Sequence, residues 1–304
     1  VHYLLNIVAD ISPAEPTFMA KINVRKAREL GSCFGVRRAI KIIDRAAKEY
    51  PEISTLGPIV HNRLVVTKLS ETGVKVVNDL NRIEGGVIAI ASHGAPPQLL
   101  SQIQSRKIRV IDTTCPIVSI AQKAAKELAD AGFRVIIFGE ATHPEVKGLL
   151  GWAGNNAVAT MNGAEVAGLE LPPRLGIIAQ TTQSQSSFVD FCKDVINAVF
   201  PAVQEIRIVN TLCQETQKRQ QAAVELAGKS DLMIVVGGHN SANTQRLAEV
   251  CAPLVETHHI ETAAEIEKDW LLGKQYIGVT AGASTPNEAI EEVVLKLESL
   301  ACDG

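Results

Sequence analysis

Cys33, Cys115 and Cys213 each stand just ahead of an apolar pattern of helical period, and a small polar residue follows each at the same distance: His61 (61 − 33 = 28), His143 (143 − 115 = 28) and Ser241 (241 − 213 = 28). The approaches repeat as well. "KIRVIDTTC", ending at Cys115, and "EIRIVNTLC", ending at Cys213, both read charged-Ile-Arg-β-branched-β-branched-Asp/Asn-Thr-x-Cys, and "INVRKARELGSC", ending at Cys33, is a looser copy. A thiol at a helix start lies near unpaired N–H groups and the positive end of the dipole, which favours the thiolate. Three convergent thiolates suit zinc or an iron–sulfur cluster. Structural zinc generally takes four ligands in close pairs, whereas this chain has no CxxC and no fourth cysteine in register. Three ligands on a [4Fe–4S] cluster would leave one iron open for chemistry.

These thiols need strands to deliver them. Alternating β-branched residues before each cysteine predict a short buried strand. Val36, Ile40, Ile43 and Ala47, then Ile117, Ala121, Ala124 and Leu128, predict amphipathic helices after it, with Gly132 and Gly228 at C-terminal caps. Strands "EISTLGPIV", "RVIIFG" and "DLMIVVGG" follow, each ending in a polar loop. A second junction closes each unit, at His93, at Thr181 and at Ser284. The expected fold is α/β, with three similar domains about a pseudo-three-fold axis: residues 21–114, 115–210 and 211–304, after an N-terminal extension at 1–20. Ligands of open parallel sheets bind beyond the strands' carboxyl ends, so three thiols and six loops would share one centre.

With 304 residues, 46% hydrophobic and 21% charged, and a net charge of −3 without blocks of like charge, the chain reads as a soluble protein that binds neither nucleic acid nor membrane. Its opening residues lack the basic region of a signal peptide, so a reducing cytoplasm is expected, with thiols or metal ligands rather than disulfides. Cys192, Cys251 and Cys302 lie in apolar helical patterns outside the repeat and read as core residues.

The loops indicate what the centre would bind. His61, His93, His143, Thr181, Ser241, Asn243 and Ser284 are neutral or weakly basic donors that, with helix-start N–H groups, can hold a phosphate; Ser284 also fits a helix cap. Glu145 is the carboxylate in register with them, placed for proton transfer. Neither GxGxxG nor a Walker loop occurs, so electrons for any reduction would come from another protein.

In "GSCFGVRRAI", "GPIVHNR", "ASHG", "DTTCP", "HPEVKG", "QTTQS", "NTLCQETQKRQ", "NSANTQRLAE" and "GVTAGASTP" the chain resembles the 4-hydroxy-3-methylbut-2-enyl diphosphate reductase family of the non-mevalonate isoprenoid pathway. The resemblance runs over about residues 21–298. It implies a trefoil of three domains around one [4Fe–4S] cluster ligated by Cys33, Cys115 and Cys213, with the substrate hydroxyl on the open iron. It further implies a diphosphate held by His61, His93, His143, Ser241, Asn243 and Ser284, and protons delivered by Glu145 with help from Thr181 and His143. Isopentenyl and dimethylallyl diphosphates would be the products, and ferredoxin or flavodoxin the electron donor. Two positions depart from the family pattern. Ser32 replaces an aromatic residue, and Ala242 replaces the middle serine of Ser-Ser-Asn, leaving its backbone N–H for any phosphate contact. A hydro-lyase using the same open iron without net redox, and a binding module stapled by zinc or a cluster, are the alternatives from other classes.

Overall fold

Short Val- and Ile-rich runs become the central strands of parallel sheets, where such side chains pack on both faces. The computed structural model describes residues 22–83, 86–200 and 202–302; the N-terminal extension expected at 1–20 and the side chain of Cys302 lie outside them. In chain order β1 (Asn23–Lys26) is followed by α1 (Phe34–Ala46), β2 (Ile53–Leu56), α2 (Arg63–Ser70), β3 (Val74–Val77), β4 (Val87–Ile90), α3 (Pro97–Ser105) and β5 (Arg109–Asp112). Next come α4 (Pro116–Asp130), β6 (Arg134–Phe138), α5 (Pro144–Ala153), β7 (Ala157–Thr160), β8 (Arg174–Ala179), α6 (Gln185–Val199) and β9 (Glu205–Ile208). The last series is α7 (Gln214–Ala227), β10 (Leu232–Val236), α8 (Ala242–Cys251), β11 (Thr257–Ile260), β12 (Tyr276–Ala281) and α9 (Asn287–Cys302).

These strands build three four-stranded parallel sheets of one pattern, β3-β2-β4-β5, β7-β6-β8-β9 and β11-β10-β12-β1. The architecture is therefore α/β, three similar lobes, and its closure is circular. The boundary drawn at residue 21 assigns Asn23–Lys26 to the first unit, but β1 pairs with β12 of the last sheet, from Asn23 opposite Tyr276 to Lys26 opposite Val279. It occupies there the position that β5 and β9 hold in the other two sheets. Those three strands each lead to a cysteine, and all three are edge strands, largely exposed or half-buried rather than buried as the sequence suggested. A strand with one neighbour carries its arginines in solvent at little cost, as Arg25, Arg109 and Arg207 do.

Alternation along the inner strands divides each lobe's core in two. Ile88 and Ile90 pack on one face of the first sheet, Val87 and Ala89 on the other. The pairs Ile136/Phe138 and Val135/Ile137 do the same in the second, as do Ile234/Val236 and Met233/Val235 in the third. Helices α1 and α4 bury Val36, Ala39 and Ile43 and Val118, Ala121 and Leu128, close to the expected stripes, although Ile117 turns instead to the central cavity. Gly132, at φ +81°, ends α4 in a Schellman turn: its N–H donates to Ala129 and that of Phe133 to Leu128. Gly228 ends α7 in right-handed conformation, without that turn. Cys192 and Cys251 are buried in lobe cores.

The threonine two places before Cys213 continues a ladder whose strand has already stopped. Thr211 Oγ1 accepts from the Ala179 N–H at 2.8 Å and donates to the Ala179 carbonyl at 2.6 Å. Thr113, two before Cys115, likewise donates to the Ile90 carbonyl. Thr211→Val keeps the shape and leaves both Ala179 groups without the hydroxyl, so a stability loss of about 1–3 kcal/mol is expected in urea unfolding; an unchanged midpoint would show that the hydroxyl is dispensable.

Candidate active site

Helix starts bring the polar residues together. Cys33, Cys115 and Cys213 are the N-caps of α1, α4 and α7, His143 that of α5 and Ser241 that of α8. In the first lobe the cap falls one residue later, on Asn62, so that His61 immediately precedes the cap of α2. Pro116 and Pro144 hold first helical positions, where a missing N–H costs nothing. Each cysteine is tied in one way to the sheet that delivers it. The N–H of Cys33 donates to Ala283, that of Cys115 to Ser92 and that of Cys213 to Thr181, each at 2.9 Å.

One cavity of about 130 Å³ lies between the lobes, and every expected site residue lines it. Cys33, Cys115 and Cys213 form part of the wall with Glu145 and Thr181; His61, His93, His143, Ser241, Asn243 and Ser284 complete the polar part. The imidazoles of His61 and His93 stack at 5.6 Å, and the His143 ring lies 5.7 Å from that of His61. Ser284 does not cap α9, which starts at Asn287; its hydroxyl donates to the His61 carbonyl at 3.1 Å and ties two lobes. Ala242 is the first residue of α8, so its N–H is one of the helix-start donors without an intrahelical partner.

Burial sets the charge state. The Glu145 side chain lies in a residue only 3% exposed, and burial raises its carboxyl to about 7, against two hydrogen bonds that favour ionisation. Those bonds come from the Thr181 N–H to Oε1 at 2.6 Å and from the Thr181 hydroxyl to Oε2 at 3.0 Å. Burial and the neighbouring histidines hold His93 down to about 3 and His143 to about 4, and burial also lowers His61. The cavity wall thus presents uncharged imidazoles and, at neutral pH, a carboxyl near half-protonation. Cys115 departs from the thiolate expectation. Burial pushes its thiol up, outweighing the N–H groups of Ile117 and Val118, and Cys33 and Cys213 add to the rise.

Two of the cavity-lining side chains have polar atoms without a partner. His61 Nε2 and both amide atoms of Asn243 are buried without a hydrogen-bond partner, a costly state unless a ligand completes them. The thiol set fits a soft, anionic group larger than one ion. A Cβ on Gly35 would stand 2.6 Å from Cys115 Sγ and 3.8 Å from Cys33 Sγ, so only glycine leaves room where the two thiols converge. Among the described residues no three His, Cys, Asp or Glu side chains close around a single metal ion. Three helix starts facing one cavity favour negative charge there.

Some participants were not singled out from the sequence. Ser92 and Thr216 also line the cavity. From α7, Gln217 donates to the Gln183 carbonyl at 2.9 Å and Gln220 to that of Thr182 at 3.3 Å, which fixes the Thr181 loop of the neighbouring lobe. Arg219, 4% exposed, donates to the Gly31 carbonyl at 2.9 Å. All but Ser92 are glutamines, threonines or arginines inside "QTTQS" and "NTLCQETQKRQ", and density of such residues around the cysteine and the loop was the available signal.

Fold and site define the class, a three-lobed α/β enzyme around a thiol-lined centre. Residues 24–298 match the LytB protein family, and the chain belongs to that family. The 4-hydroxy-3-methylbut-2-enyl diphosphate reductase of Dehalococcoides mccartyi (strain CBDB1) is 47% identical over 280 residues, covering 92% of this chain and 99% of that protein. The enzyme of the same name from Pelobacter propionicus is 45% identical over 269 residues, or 88% and 95% of the two chains. A solved structure of (E)-4-hydroxy-3-methyl-but-2-enyl diphosphate reductase, terminal enzyme of the non-mevalonate pathway, is similar with TM-score 0.66 and 36% identity over 91% of this chain and 99% of that one. The E-1-hydroxy-2-methyl-but-2-enyl-4-diphosphate reductase of Plasmodium falciparum gives 0.84 and 28% over 91% and 87%. The chain is an oxidoreductase of this family. Among the described residues no helix is long and apolar enough to cross a membrane.

The buried carboxyl makes a measurable claim. Folded Glu145 keeps its proton to about pH 7, whereas the unfolded chain releases it near the ordinary 4.5 of a glutamate. The stabilisation this proton provides is complete below 4.5 and is lost as pH rises through about 7. Urea unfolding across that range should therefore show Glu145→Gln gaining on the unsubstituted protein as pH rises, with the difference levelling above 7; a pH-independent difference would refute a raised carboxyl.

Proposed function

We propose that this chain reduces 4-hydroxy-3-methylbut-2-enyl diphosphate to isopentenyl and dimethylallyl diphosphates, taking up two electrons and two protons and releasing the hydroxyl as water. The observation that carries this reading is the set of buried, unpartnered groups able to donate, His61 Nε2 and the Asn243 amide nitrogen, in the same cavity as three cysteines and an acid near half-protonation at neutral pH. Those donors call for a ligand rich in acceptors, and a diphosphate is one. His61, His93, His143, Ser241, Asn243 and Ser284 would hold it, joined by the N–H of Ala242. The helix starts of α5 and α8 add the positive end of their dipoles. An arriving dianion raises the imidazoles' proton affinity and turns neutral donors toward cationic ones.

Cys33, Cys115 and Cys213 would hold one [4Fe–4S] cluster, which when bound supplies the electrons and a Lewis-acidic iron. Ferredoxin or flavodoxin would supply those electrons in a reducing cytoplasm. Glu145 is the proton donor. Its carboxyl, raised to about 7, has a proton to give at neutral pH and takes another readily. The Thr181 hydroxyl, 3.0 Å from Oε2, holds the carboxyl toward the cavity and can pass the proton on. His143, whose Nδ1 accepts from the Glu145 N–H at 3.1 Å, fixes the start of the same helix.

Anaerobically reconstituted protein should consume the hydroxylated diphosphate only when a reductant is present; consumption without one would favour a hydro-lyase, and none with an intact cluster would sink the reductase. Glu145→Gln should lower turnover by about a hundredfold or more. The rate should fall as pH rises above about 7, because the acid must be protonated. Thr181→Val removes a bond that favours the ionised carboxyl, so the alkaline limb of its pH profile should move upward. Asn243→Ala should weaken pyrophosphate binding about tenfold to a hundredfold, as loss of one hydrogen bond to a charged group implies, which isothermal titration would read directly.

A further inference from the structure

We propose that the face of α1 beside Cys33 is the docking site of a small acidic electron-carrier protein, an inference that rests on the reductase reading. Phe34, the residue after a proposed cluster ligand, presents an aromatic ring that is 58% exposed. Arg37, Arg38, Lys41 and Arg45 surround it, and with Phe34 and Ile42 they line a shallow concavity of about 320 Å³ on the surface. None of these four cations takes part in an ion pair among the described residues.

The pseudo-three-fold arrangement supplies an internal comparison. After Cys115, α4 pairs Lys123 with Glu127 and Lys126 with Asp130, and after Cys213, α7 pairs Lys218 with Glu215. The residues following those two cysteines are Pro116 and Gln214. Only α1 combines an exposed ring with uncompensated positive charge. Arg37 and Arg38 do not serve the helix, since cations near a helix start oppose the dipole; Arg45, in the last turn, lies where the dipole favours it. Arg37 and Arg38 also anchor the patch to the centre, through the carbonyls of Ser32 and, at 3.1 Å, Thr114, the residues just before Cys33 and Cys115. On a chain with net charge −3, such a local basic face steers an acidic partner toward one orientation. Phe34 would then be the ring met by the partner's redox centre.

The test uses the cluster-loaded protein and a fluorescently labelled acidic [4Fe–4S] ferredoxin, with anisotropy read at low and high salt. The double variant Lys41→Glu/Arg45→Glu should weaken binding by about tenfold or more at low salt and flatten its salt dependence. Phe34→Ala should slow cluster reduction by reduced ferredoxin, followed optically, by about tenfold while reduction by dithionite is unchanged. Unchanged ferredoxin binding by the double variant, or equal loss with ferredoxin and dithionite in Phe34→Ala, would overturn the docking site. Because binding and reduction are read without substrate, a protein that accepts electrons through this face yet leaves the diphosphate intact would sink the reductase reading and keep the docking site.

Discussion

The backbone N–H of each cysteine donates to the last polar loop of the sheet that delivers it, and the centre depends on that bond. Thr181 shows why. Its carbonyl accepts from Cys213, while its N–H and hydroxyl grip the two oxygens of Glu145. One residue thereby sets the position of a thiol in the third lobe against an acid in the second. Ser92 and Ala283 make the equivalent link to Cys115 and Cys33. The three bonds have the same length and the same place in each lobe, so thiols that no single lobe could group are presented to a common cavity. Gln217 and Gln220 brace this arrangement by holding the carbonyls of Gln183 and Thr182, the two residues that follow Thr181.

Little net charge is built into the wall of the centre. Burial keeps the imidazoles unprotonated and the Glu145 proton in place, and it raises Cys115 against the pull of its helix. Arg219 is the exception. Burial lowers its proton affinity, and Cys33, Glu215 and Cys213 act the other way. Its Nε has no partner, so the guanidinium is only partly satisfied by carbonyls. A site of this kind favours an anionic ligand, because an arriving charge finds donors already oriented and dehydrated.

Much of this was legible before any coordinates. The equal spacing from cysteine to polar loop reflects one strand-helix-strand unit used three times, since helix length and strand length fix how many residues separate two junctions. The inner strands were legible for the same reason, as fully apolar runs such as Leu232–Val236 have few alternatives to a buried parallel strand. The edge strands misled, because the Ile-Arg-Val alternation before Cys115 looks buried until its single neighbour is known. The lowered thiol also misled. A helix dipole can be inferred from a helix start, but the desolvation that outweighs it at Cys115 depends on everything packed around it.

The residue types and spacings by themselves determined the three lobes, the three thiols and the loops that accompany them, because these follow from local periodicity along the chain. Tertiary structure decided how the lobes close. Asn23–Lys26 joins the last sheet through hydrogen bonds to a strand more than two hundred residues away, and no local pattern specifies so distant a partner. It also decided which donors are left unsatisfied and where charge is tolerated. Both follow from burial, which is a property of the assembled lobes and of no one segment.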